Sequence, residues 1–127
     1  MLTGKKIVLG VSGGIAAYKM ANVASMLSKL HADIHVVMTE NATHFITPET
    51  FEVLTGNHCY TDTFDRCMEL HVPHIALGTQ ADAILIAPAS ADVVGKIANG
   101  IADDMLTTCV LPATCPVMLA PSMNVHM

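Results

Sequence analysis

The sequence predicts an α/β domain built on a parallel sheet with helices on both faces. Three observations carry this. Short apolar, β-prone runs alternate with segments of helical period along the chain. The first such run ends in a glycine turn, Ser12-Gly13-Gly14, that leads straight into a helical pattern. A polar amide, Asn124, follows the last apolar run, at the strand end where open α/β sheets bind ligands. Strands ordered in this way are joined by right-handed crossovers.

The elements follow in order. Lys5 to Val11 is a continuous β-prone run. From Ile15 to Leu30, Ala16, Ala17, Met20, Val23, Ala24, Leu27 and Leu30 recur at helical spacing, and His31-Ala32 ends the pattern. Asp33 to Met38 is a second strand, and Asn41 and Thr43 start a short helix. Pro48 opens another helix, with Phe51, Val53 and Leu54 as its apolar side. Asn57 to Glu69 shows no clear period. His74 to Leu77 has the residues for a short helix. Ala83 to Ala87 is a strand that Pro88 punctuates, and Ala91 to Asn99 is a helix with Gly100 as its stop. Asp103-Asp104 precedes a helix from Met105 to Val110, and Val117 to Ala120 is the last strand, read as buried.

The 127 residues suit one domain with a real core. Hydrophobic residues make up 52% and charged residues 13%, which suggests apolar surface hidden in a homo-oligomer. No apolar run approaches the roughly 18 to 20 residues of a membrane span. Lys5-Lys6 is followed by a strand and a glycine turn rather than by a leader's apolar stretch, so a cytoplasmic location is expected. The formal charge of −5 argues against a nucleic-acid surface, which needs clustered Lys and Arg. It leaves room for a phosphate ligand, because backbone N–H groups at a helix start hold one without a basic side chain. Cys59, Cys67, Cys109 and Cys115 form no CxxC pair, so reduced thiols and no metal site are expected.

Three strand ends and one helix corner carry the candidate chemistry, and each has a plainer structural alternative. Gly10, Ser12, Gly13 and Gly14 allow a sharp turn and close approach of a ligand to the backbone, or simply join a strand to a helix. The turn lacks both the GxGxxG order of a dinucleotide fingerprint and the GK[ST] of a P-loop. Thr39 can reach the same phosphate or cap a turn, and Phe45 can stack on a flat ring or sit in the core. Pro88-Ala89-Ser90 leaves room for such a ring while Ser90 caps the next helix. Asp104, Met105 and Leu106 form a helix corner, or a loop touching a ligand or a neighbouring subunit. His71 and His74 flank Val72-Pro73 without a ligand set for a metal, and His74 is of the type that moves protons at neutral pH.

Taken together, five ordered stretches resemble the homo-oligomeric flavin-containing cysteine decarboxylases. They are KIVLGVSGGIAAYK from Lys6, VMTENATHFITP from Val37 to Pro48, PHIALG from Pro73 to Gly78, APASADVVGKIANGIADDMLTT from Ala87 to Thr108, and the closing PSMNVHM. The branch of the family that serves coenzyme A synthesis is the nearest in pattern.

The resemblance implies a Rossmann-like three-layer αβα sandwich, assembled as trimers or dodecamers, with FMN at a subunit interface. It puts the FMN phosphate on the first glycine turn with help from Ser12 and Thr39, and the flavin beside Phe45 and Pro88 to Ser90. It brings Asp104 to Leu106 near FMN of the adjacent subunit. In this branch 4′-phosphopantothenoylcysteine is oxidised at its thiol by FMN, loses carbon dioxide, and is reduced to 4′-phosphopantetheine. His74 matches the active-site histidine. Asn124 matches the asparagine that orients the substrate carboxylate, within a substrate-binding stretch Pro121, Ser122, Met123 and Asn124. Ser122 departs from the family's usual alanine. The chain stops at Met127, before the further helix and the substrate clamp with its reductive cysteine, so residues 1–127 are expected to be a single FMN-binding domain without them. Three alternatives stay open: a peptidyl-cysteine decarboxylase that stops at the enethiol, a flavin prenyltransferase, which the pairing of His74 with Asn124 disfavours, and a flavin-binding subunit without turnover.

Overall fold

The computed structural model of the chain describes residues 1–65 and 73–127. Strands β1 (Lys6–Val11), β2 (Asp33–Met38), β3 (Ala83–Ala89) and β4 (Val117–Pro121) form one parallel sheet in the order β2-β1-β3-β4. The helices are α1 (Met20–Lys29), α2 (Pro48–Thr55), α3 (Pro73–Gln80), α4 (Ala91–Ala98) and α5 (Met105–Val110), with short 3-10 turns at Ile15–Lys19 and Asn41–His44.

Strand alternation divides the core into two layers. Val8, Val37, Ile84 and Ile86 pack with Leu77, Val93, Leu106 and Cys109, so α3, α4 and α5 cover one face. Leu9, Val11, Ile34, Val36 and Met38 pack with Ala17, Ala24 and Phe51, so α1 and α2 cover the other. Right-handed crossovers dictate this division, because β1→β2 moves one way across the sheet while β2→β3 and β3→β4 move the other. The reversal leaves a crevice between the C-terminal ends of β1 and β3, the position at which open α/β sheets take ligands.

The predicted first helix divides into the 3-10 turn and α1, a common arrangement at helix starts. It ends in a Schellman motif. The His31 N–H donates to the Ser28 carbonyl at 3.0 Å and the Ala32 N–H to the Leu27 carbonyl at 3.3 Å, with His31 at φ 68°. Val53 is not on the apolar side of α2 but 84% exposed, since two residues along a helix is a turn of about 200° away from buried Phe51. β3 continues through Pro88 to Ala89, because a register irregularity against β4 between Ile86 and Ala89 accommodates a residue with no N–H. Within the undeciphered stretch, Tyr60 adds a parallel bridge to Val37 on the outer side of β2 and is itself buried. One bridged residue leaves no periodic trace in a sequence.

The last strand is the main correction. Val117 to Ala120 reads as buried, yet Met118 and Leu119 of β4 are 51% and 38% exposed. β4 pairs only with β3 among the described strands, which leaves its second edge and much of both its faces open. Apolar side chains also stand out at Ile15, Tyr18 and Val125.

Candidate functional site

The crevice at the reversal is a cleft of about 380 Å³. Gly13, Thr39, Ser90, Asp104 and Met127 line it together with Glu40, Asn41, Asp92, Lys96 and Asp103. A second hollow of about 430 Å³ adjoins it and shares Glu40, Asp103 and Asp104, with Thr43, Thr61, Asp62, Thr63 and Met105 completing its wall. The sequence-predicted strand ends of β1, β2 and β3 therefore do meet at one place.

Ser12 directly follows β1, and its side chain is fully buried. Its hydroxyl donates to the Pro88 carbonyl and accepts the Ser90 N–H at 2.9 Å, while its own N–H donates to the Pro88 carbonyl at 3.3 Å. Ser90 in turn caps α4, its hydroxyl accepting the Val93 N–H at 3.3 Å. The first N–H groups of α4 and of the turn after Gly14 have no partner within their own helix, so both point donors at this end of the sheet. Gly13 makes room for this. A Cβ there would lie 2.5 Å from the Asn41 Cβ, so only glycine lets the β1 turn meet the β2 turn. Gly14 is extended, and a Cβ there would meet only the Pro88 ring, at 4.0 Å.

Thr39 closes the β2 side. Its hydroxyl accepts the Ala42 N–H at 3.2 Å, which shapes the turn that carries Phe45, whose ring is about half exposed. Asp104 caps α5 through a reciprocal box with Thr107. The Asp104 carboxylate accepts the Thr107 N–H at 2.8 Å, and the Thr107 hydroxyl accepts the Asp104 N–H at 3.2 Å. Lys96 is held between Asp92 and Asp103 at 3.2 Å each, and the hydrogen bonds to Asp103 and then Asp92 raise its pKa. This clasp was missed in the sequence, although the i,i+4 spacing of Asp92 and Lys96 is a visible signal. The cleft's carboxylates outnumber its lysine, so an anion there depends on backbone N–H groups.

Several expected site residues lie under the crevice rather than in it. Gly10 faces α5, where a Cβ would meet the Leu106 side chain at 2.5 Å. Leu106 and Met105 are buried in the same layer, Leu106 as floor and Met105 also reaching the wall of the second hollow. Ala89 is buried too, and its carbonyl accepts the Ser122 N–H at 3.1 Å, which ties the Pro121-to-Asn124 stretch to the β3 end. Met123 is 42% exposed. The Asn124 side-chain carbonyl accepts the His126 N–H at 2.9 Å, leaving the amide NH₂ free to donate. His74 sits in the first turn of α3 and does not line either hollow. Its Nδ1 is buried and has no hydrogen-bond partner among the described residues. His71 and Cys67 lie outside the described residues. Cys59, Cys109 and Cys115 are free thiols. Burial, with nearby carboxylates, pushes Cys59 and Cys109 up to about 12, so neither is a nucleophile at neutral pH.

The chain matches the family described as Flavoprotein over residues 1–127. It is 50% identical to the coenzyme A biosynthesis bifunctional protein CoaBC of Bacillus subtilis (strain 168), over 100% of this chain and 31% of that protein. The chain thus spans about a third of the length of such curated relatives. Among solved structures it resembles the FMN-dependent cysteine decarboxylase SpaF, with a TM-score of 0.90 and 37% identity over 99% of this chain and 73% of that one. It also resembles a PPC decarboxylase mutant complexed with pantothenoylaminoethenethiol, with a TM-score of 0.80 and 31% identity over 95% and 68% of the two chains. The three-layer parallel architecture is common to this chain and these neighbours.

Proposed function

The chain belongs to the Flavoprotein family, and on that footing we propose that it binds FMN in the crevice and decarboxylates 4′-phosphopantothenoylcysteine to 4′-phosphopantetheine in coenzyme A biosynthesis. The observation that carries the reading is the convergence of the Gly13-Gly14 turn, Thr39 and the Ser90 cap on one cleft at the switch point of the sheet. The donor set fits a phosphate monoester, because N–H groups converge there while the side chains are mostly acidic. Gly14, where a Cβ would meet only the Pro88 ring at 4.0 Å, leaves room for a flat ring over the turn, and the half-exposed Phe45 offers a face on which one could stack.

When bound, FMN supplies the two-electron oxidation of the cysteine thiol and the return of those electrons. The protein's own part is to place and to polarise. The free NH₂ of Asn124 donates to the substrate carboxylate and fixes the carbon–carbon bond that breaks. The buried Nδ1 of His74 supplies a site for a proton or a hydrogen bond that no described residue uses. Ser122, whose N–H donates to the Ala89 carbonyl, anchors the start of the Asn124 stretch at the end of β3. Residues 1–127 act as one FMN-binding unit. The exposed β4 edge and the apolar side chains at Ile15 and Tyr18 favour assembly as a homo-oligomer of the trimeric kind. No described helix is long and apolar enough to cross a membrane, and a coenzyme A role favours the cytoplasm.

The purified chain is expected to be yellow with FMN and to release carbon dioxide from 4′-phosphopantothenoylcysteine, followed by mass spectrometry. A chain that cannot be loaded with FMN overturns the reading. A product lighter than phosphopantetheine by two hydrogens points instead to the second reading, a decarboxylase that stops at the enethiol. The likeness to SpaF, described as an FMN-dependent cysteine decarboxylase, supports the cysteine-decarboxylase part of that second reading.

A further inference from the structure

Ser12 lies at the turn where a phosphate-binding hydroxyl is expected, yet its hydrogen bonds run elsewhere. We infer that the Ser12 hydroxyl is a positioning residue, which straps the end of β1 to the end of β3 and so sets the width of the flavin crevice, while backbone N–H groups alone hold the phosphate.

The register pairing of β1 with β3 ends at Gly10 and Ile86. Beyond it, Ser12 replaces the ladder. Its hydroxyl gives its proton to the Pro88 carbonyl and takes the Ser90 N–H at 2.9 Å, and its N–H reaches the Pro88 carbonyl at 3.3 Å. A hydroxyl has one proton, and this one is spent inside the protein. Donation is what a phosphate oxygen would need from it. Ser12 is also fully buried, whereas a phosphate ligand must reach the solvent-facing side of the turn.

The strap fixes more than one wall. Ser90, held by Ser12, is the cap of α4, so the hydroxyl aims the first N–H groups of that helix. Ala89, between the two strapped residues, accepts the Ser122 N–H at 3.1 Å and sets the start of the Asn124 loop. One buried hydroxyl thus registers the phosphate side and the substrate side of the crevice together. Removing it leaves the half-buried Ser90 N–H without this acceptor and loosens both.

This inference rests on FMN binding as proposed above, and comparing two ligands separates their failures. FMN and riboflavin differ by the phosphate alone. In the full chain, Ser12→Ala is expected to weaken FMN and riboflavin by the same factor, about tenfold, from the loss of one buried hydrogen bond. The visible circular dichroism of FMN bound at saturation is expected to change as the ring seat widens. Weakening of FMN with riboflavin unchanged would make Ser12 a phosphate ligand and overturn the strap. Failure of the wild type to bind either ligand would overturn the proposed function instead. Should Ser12→Ala not fold, amide exchange in the wild type decides. The Ser90 N–H is expected to be slow to exchange without FMN, and rapid exchange that slows only on adding FMN would overturn the strap.

Discussion

Gly13 packs directly against Asn41. A Cβ on Gly13 would lie 2.5 Å from the Asn41 Cβ and 3.1 Å from its carbonyl carbon, too close for either to remain in place. The turns after β1 and β2 are therefore built to touch. Gly13→Ala is expected to destabilise the fold by about 1–3 kcal/mol, as overpacking does, and to weaken flavin binding. Gly14→Ala, whose nearest neighbour is the Pro88 ring at 4.0 Å, is expected to leave stability nearly unchanged. Urea titration of the two variants checks this, and equal effects would contradict it.

His58 supplies a pH dependence. Its Nδ1 lies 3.0 Å from Glu52 and its Nε2 2.5 Å from Asp65, and both nitrogens can donate only as the imidazolium. Burial opposes that charge, but Asp65, through hydrogen bond and charge, and then Glu52 outweigh it and raise the pKa above the ordinary 6.5. A raised folded-state value stabilises fully below the unfolded value and is lost as pH rises through the folded one. The stability advantage of wild type over His58→Asn is thus expected to be largest near pH 6 and to shrink above neutrality. Parallel pH–stability curves would show that the bridge contributes nothing.

His74→Asn and Asn124→Asp separate binding from turnover. Neither side chain lines the cleft, so both variants are expected to retain FMN. Decarboxylation is expected to fall by about 10²-fold or more, the scale of losing a positioned proton-transfer or orienting group. Flavin absorbance and carbon dioxide release, measured on the same preparations, check both halves. Turnover at the wild-type rate would remove the assigned roles.

At His31 a side chain occupies the left-handed position that closes α1, with φ 68°. His31→Gly keeps the Schellman bonds and relieves a cost of about 1 kcal/mol. A rise in thermal midpoint is expected, and a fall would mean the imidazole contributes contacts of its own.

The sheet, its parallel sense and the strand-end turns were legible because buried strands and amphipathic helices leave periodic runs. The candidate cleft was legible as a set of strand ends, which topology brings together whatever the side chains do. Their division of labour was not. Gly10 and Leu106 look like ligand contacts in a motif, and only the packing of α5 under β1 shows them as floor. Ser12 looks like a free hydroxyl until Pro88 and Ser90, far along the chain, are seen to claim it. β4 looks buried because its residues are apolar, although burial depends on what covers an edge strand.

The Ser12–Pro88 bond spans 76 positions of sequence. β1, α1 and β2 are contiguous and can pair early, but β3 must then dock on the other side of β1 after a long loop has closed, at an entropic cost that local contacts do not repay. The crevice is therefore a late product of folding, made when β3 arrives. A ligand that occupies it acts on the completed chain and slows its unfolding, and does nothing to hasten the first pairing. In refolding experiments, added FMN is expected to lower the unfolding rate and leave the folding rate unchanged.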